Sequence, residues 1–97
     1  MKYYQVWIKA ELDQRKEKNP NYSLRSFARS LAMSPSLLSR VCNGSVKLST
    51  KAASIIIART DMHELDQEKF INSLVEDIRE DIDHQVSEER IRANQKY

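Results

Sequence analysis

The densest set of groups able to do acid–base or metal chemistry in this 97-residue chain is the run Glu76, Asp77, Glu80, Asp81 and Asp83. Paired carboxylates work as acid and base when their surroundings pull their proton affinities apart, and they hold a metal when they converge on one point. Here Glu76/Glu80 and Asp77/Asp81 are like-charged pairs one helical turn apart, flanking an apolar seam of Leu74, Ile78 and Ile82. That is the pattern of a solvated helix face. Cys42 stands alone, which excludes an internal disulfide, and His63 and His84 have no companions at structural-zinc spacing. The expectation is a chain that is not an enzyme and takes no metal, no cofactor and no small-molecule substrate.

The other charges are unevenly spread. Residues 1–60 carry 11 Lys/Arg against 3 Asp/Glu, and residues 61–97 carry 5 against 11, so a net charge of +2 conceals a front of +8 and a tail of −6. A basic front suits a polyanionic partner. Arg25, Arg29, Arg40, Lys47 and Lys51 lie in it, interleaved with Ser23, Ser34, Ser36, Ser39 and Asn43, side chains that hydrogen-bond phosphates or base edges.

The elements that must position these residues are helical. One glycine and two prolines leave few tight turns, no stretch alternates apolar and polar residues between turn signals, and 40% apolar with 31% charged residues is ordinary globular composition. Tyr4, Trp7, Ile8 and Leu12 form one stripe of a first helix over about 2–17, stopped before Asn19-Pro20. Ser23 caps a second helix over 24–31 with Leu24, Phe27, Ala28 and Leu31 inward. Ser34 and Pro35 open a third, over 35–42, with Leu38 and Val41 inward and Asn43-Gly44 ending it. Ser49 caps a fourth, ending near Arg59. Asp66 reads as the cap of a fifth over 67–84, with Leu65 and Phe70 as a hydrophobic staple, and Ser87 opens a last short helix to about 94. The expected fold is all-α: a compact four- to five-helix domain over 1–60, with an acidic helical extension over 61–97. No apolar run approaches the roughly 20 residues of a membrane span, and the N-terminus lacks a signal-peptide core. A cytoplasmic location is expected.

The stretch from Ser23 to Gly44 resembles the Cro/repressor (XRE-like) helix-turn-helix family. Ala28 stands where the two helices of that motif cross; Phe27, Leu31, Met33, Leu38 and Val41 stand at its buried positions; Asn43-Gly44 matches its ending. Two positions depart. Ala32 replaces the glycine of the turn, where φ is positive, implying either about 1 kcal/mol of strain or a slightly altered turn, and Leu24 replaces a polar phosphate-binding residue, so that contact is not carried over. More loosely, the chain is similar to the N-terminal module of a family of bacterial regulators in which a larger domain follows; it reads either as a piece of a longer protein or as a stand-alone relative.

The resemblance implies a sequence-specific regulator bound to double-stranded DNA. The second helix of such a motif enters the major groove, which gives Ser34, Pro35, Ser36, Ser39 and Arg40 as base-reading residues, with Arg40 the strongest donor toward guanine O6 and N7. Ser23, Arg25, Arg29, Asn43, Lys47 and Lys51 are then the phosphate contacts. A second copy is the expected partner, through Leu74, Ile78 and Ile82; packing of that seam on the chain's own core is the alternative. The competing function is a protein-interaction module that keeps the scaffold and uses the acidic helix to bind its partner.

Overall fold

A computed structural model describes residues 1–95 as five helices: α1 (Tyr3–Lys18), α2 (Leu24–Ser30), α3 (Pro35–Asn43), α4 (Thr50–Arg59) and α5 (Glu64–Gln95), with no strand among the described residues. Residues 96–97 of the expected extension lie outside them. No helix among the described residues is long and apolar enough to cross a membrane.

Three helices start where a serine hydroxyl takes the first free amide. Ser23, Ser34 and Ser49 Oγ accept from the N–H of Ser26, Leu37 and Ala52, each at 3.1 Å. The core gathers Tyr4 and Ile8 of α1, Phe27, Ala28 and Leu31 of α2, Leu38 and Val41 of α3, Leu48, Ala53 and Ile56 around α4, and Met62, Phe70 and Leu74. Burying each of the larger members contributes roughly 1.5–3 kcal/mol. Met62, Phe70 and Leu74 lie beyond the expected boundary at residue 60 yet share this one core. Phe70 takes the edge of Trp7 at 5.9 Å and a tilted Tyr4 ring at 6.1 Å, which fastens α5 to α1.

The C-terminal half differs from expectation in two ways. Helix α5 begins at Glu64 rather than after Asp66: His63 Nδ1 accepts the Leu65 N–H at 3.2 Å, and Asp66 instead accepts from the Tyr3 hydroxyl at 3.0 Å. Leu65 is exposed, so the staple does not form. Residues 87–94 are not a separate helix either; with no glycine or proline after Gly44, nothing interrupts α5 for 32 residues. On the apolar side of α5, Phe70 and Leu74 are buried while Ile71, Val75, Ile78 and Ile82 are exposed, so that of the Leu74, Ile78 and Ile82 seam only Leu74 packs on the chain's own core. The body is compact, and α5 runs past it, giving extents of 63 × 28 × 20 Å.

Candidate nucleic-acid interface

Helices α2 and α3 are joined by a turn whose geometry follows from one residue. Ala32 has φ +54°, the left-handed conformation expected of it. Its N–H donates to Arg29 O at 3.1 Å and the next amide, Met33 N–H, donates to Ala28 O at 2.9 Å. These two bonds satisfy the last carbonyls of α2 and turn the chain toward α3. The same device closes α3: Gly44 (φ +83°) donates to Val41 O at 3.2 Å and Ser45 to Arg40 O at 3.0 Å. A Cβ on Gly44 would be strained at this φ and would lie 3.2 Å from Gln5 Nε2, which would have to give by a few tenths of an ångström. Ala28, fully buried, lets α2 and α3 approach.

This frame presents one outer surface. Leu38 and Val41 turn into the core, and Ser36, Ser39 and Arg40 remain exposed on the opposite side of α3. Positions 36, 39 and 40 are neighbours on that face, three and four residues apart. Arg25 and Arg29 of α2 line a shallow cleft together with Met33 and Pro35, which brings two arginine side chains beside the first residue of α3. No acidic residue occupies the first turn of α3, so its partial positive charge is uncompensated. All eleven residues singled out in the sequence, Ser23, Arg25, Arg29, Ser34, Pro35, Ser36, Ser39, Arg40, Asn43, Lys47 and Lys51, are exposed.

No family model, curated protein or solved structure matches the chain.

What the surface can do therefore rests on its own groups. Among the described residues Arg25, Arg29, Arg40 and Lys51 enter no ion pair, so their charge is available to an incoming anion. Lys47 is different: its ammonium donates to Asp81 Oδ1 at 2.6 Å, and that hydrogen bond, with the acidic groups of α5 around it, raises its pKa. A phosphate at Lys47 would have to displace Asp81. Asn43 is also partly committed, because its Oδ1 accepts from both the N–H (2.9 Å) and the hydroxyl (2.6 Å) of Ser45, leaving the amide NH2 as its outward donor. Ser23 and Ser34 each spend an oxygen lone pair as a cap; Ser34 keeps a hydroxyl proton to give, whereas Ser23 Oγ also shares a hydrogen bond with Ser26 Oγ at 3.1 Å.

Several residues that hold this surface in place were not foreseen. Gln5, buried on α1, donates from Nε2 to Val41 O at 3.1 Å and accepts the Lys2 N–H at 2.8 Å, tying α1 to the end of α3. Arg15 lies over the Phe27 ring at 4.9 Å and donates to the Tyr22 hydroxyl at 3.0 Å, bracing the start of α2. Asp77, expected on a solvated face, is buried: it accepts from the Tyr4 hydroxyl at 2.6 Å, and Lys2 lies 3.6 Å away. Desolvation, reinforced by that carboxylate, pushes the Tyr4 pKa up to about 12. Cys42 is partly buried, and burial raises its pKa, so the thiol stays protonated and unreactive.

Proposed function

We propose that this chain is a sequence-specific DNA-binding regulator that inserts α3 in the major groove. Arg40 donates to guanine O6 and N7, Ser36 and Ser39 bond neighbouring base edges, and Pro35 makes apolar contact, for instance with a thymine methyl. Arg25, Arg29, Lys51 and the amide of Asn43 take phosphates on either side, which orients the helix without reading sequence. The observation that carries this reading is the exposed face of α3, with an unpaired Arg40 on it and an unpaired Arg25 and Arg29 gathered beside its first residue. An enzyme or a packing-only hairpin gives no reason for that gathering.

Salt dependence tests it. Three free phosphate-facing cations, Arg25, Arg29 and Lys51, correspond to a slope of about −2.7 in log K against log salt, or roughly 40-fold weaker binding between 50 and 200 mM. Anisotropy with random-sequence duplexes reads this directly. Absence of binding at 50 mM salt contradicts the proposal.

One observation favours the second reading, a protein-interaction module: Asp81 of the acidic helix neutralises Lys47 within the candidate interface. The two separate on which surface matters. Loss of binding on substituting Arg25 and Arg29 supports DNA recognition, whereas a DNA-inert chain sensitive only to changes on α5 supports the module.

A further inference from the structure

We propose that α5 pairs antiparallel with α5 of a second copy of this chain, the two helices crossing at Ile82 and the far end of each lying in the groove between α4 and α5 of the other. Ile71, Val75, Ile78, Ile82 and Val86 are 46, 44, 46, 54 and 41% exposed, and their spacing of four, three, four and four residues puts them on one strip of the helix. The neighbouring strip, with Phe70, Leu74 and Asp77, faces the body. The exposed strip is therefore a second apolar face, left uncovered after the core is complete.

The two ends of this strip differ, and the difference selects the partner and its direction. Near the body, Ile71 and Val75 border a groove walled by Ala53, Ser54 and Ile57 of α4. At the far end, Ile82, Val86 and Ala93 line a shallow apolar trough. There residues 81–94 are all exposed, and a segment of about that length is marginal as a helix without packing. Each end supplies what the other lacks, so two copies of the same surface complete each other, as a two-fold contact requires. From Ile71 to Ala93 the strip is about 33 Å long at 1.5 Å per residue, already a large patch for a monomer. A parallel pair would cover the strip and leave the α4 wall open. The antiparallel pair covers both, which moves the buried area toward the ~800 Å² per partner of a stable interface.

Charge agrees with this register. Crossing at Ile82 sets Ile78 opposite Val86 and Ile71 opposite Ala93. It also brings Arg79 beside Asp83 and Arg90 beside Glu76 of the second copy, each pair occurring twice by symmetry, against the one like-charge approach of Asp83 to its own symmetry mate.

The proposal does not rest on DNA binding, and its test contains no DNA, so the two fail separately. Sedimentation of the 97-residue chain from 1 to 200 µM should show a reversible monomer–dimer equilibrium, with helicity rising as dimer forms. Ile82→Glu, on an exposed position outside the core, should raise the dimer dissociation constant more than tenfold and leave the monomer's thermal unfolding intact. In a Cys42→Ser background, Ile82→Cys should cross-link to itself on mild oxidation, Ile71→Cys alone should not, and a mixture of Ile71→Cys and Ala93→Cys chains should cross-link to each other. A monomer throughout this range, or self-cross-linking of Ile71→Cys, overturns the proposal.

Discussion

Ala32 and Gly44 perform the same turn with different side chains, and that difference makes a prediction at the scale of one residue. Both stand at positive φ after a helix, and both donate into the same pair of carbonyl positions. Of these two, Ala32 is the one that carries a Cβ into the left-handed region. Ala32→Gly should therefore stabilise the chain slightly, by up to about 0.6 kcal/mol, since about 1 kcal/mol of relieved strain is partly offset by about 0.4–1 kcal/mol of added chain entropy of glycine; urea unfolding checks it, and a destabilised variant would contradict the assigned strain. Tyr4 makes the second. Its folded-state pKa of about 12 exceeds the ordinary value of 10.0, so its contribution is complete below about pH 10 and is lost as pH rises toward 12. Lys2 and Lys47, whose pKa values are also raised by acidic partners on α5, lose their pairs in the same direction as they deprotonate. The difference between wild type and Tyr4→Phe isolates the tyrosine: the variant should be weaker by about 1–3 kcal/mol at neutral pH, because Asp77 loses its buried donor, and should show a shallower fall in unfolding free energy between pH 10 and 12. Parallel pH profiles for the two proteins would contradict the Tyr4 assignment.

At the scale of elements, the serine caps explain what could be read in advance. Ser23, Ser34 and Ser49 mark helix starts through a bond to an amide three residues on, and the Asn19-Pro20 stop is equally local, so α1 to α4 were legible to within a residue or so. Helix α5 was not. Asp66 and Ser87 look like caps in sequence, but a cap signal does not reveal whether the preceding turn is already helical. Asp66 accepts a hydrogen bond from the Tyr3 hydroxyl, 63 residues away, and no competing turn residue exists to break the helix at Ser87. Buried polar residues were illegible for the same reason. The place of Gln5 is set by a carbonyl 36 residues on, and that of Asp77 by a tyrosine 73 residues back. Of the candidate interface, exposure was legible at every position, because the inward residues of α2 and α3 follow helical spacing. The engagement of Lys47 by Asp81, 34 residues away, was not.

For the whole molecule, the basic front and acidic tail meet. Lys2 reaches Glu80 at 2.6 Å and Lys47 reaches Asp81 at 2.6 Å, so part of the charge division seen along the chain is neutralised in space. Both pairs are exposed enough that their effect on stability is small, while their effect on an approaching polyanion is larger because Lys47 borders the surface proposed to face DNA. Asp81→Asn should tighten binding to any duplex by about 2- to 10-fold at low salt and steepen the salt slope by about one, with no change in sequence preference. Titration of one duplex at several salt concentrations measures both; unchanged affinity would mean that Lys47 does not face the phosphates.

The central claim, that α3 reads base edges through Arg40, is tested most directly by selecting binding sites from a random duplex pool with the wild-type chain and with Arg40→Ala. The wild type should enrich a defined site containing guanine at one or two fixed positions. Arg40→Ala should still retain DNA at 50 mM salt but lose that guanine preference, a change of about 1–3 kcal/mol, or roughly 5- to 150-fold in discrimination. A wild-type pool without enrichment, or an Arg40→Ala pool selecting the same guanines as strongly, would contradict the assignment.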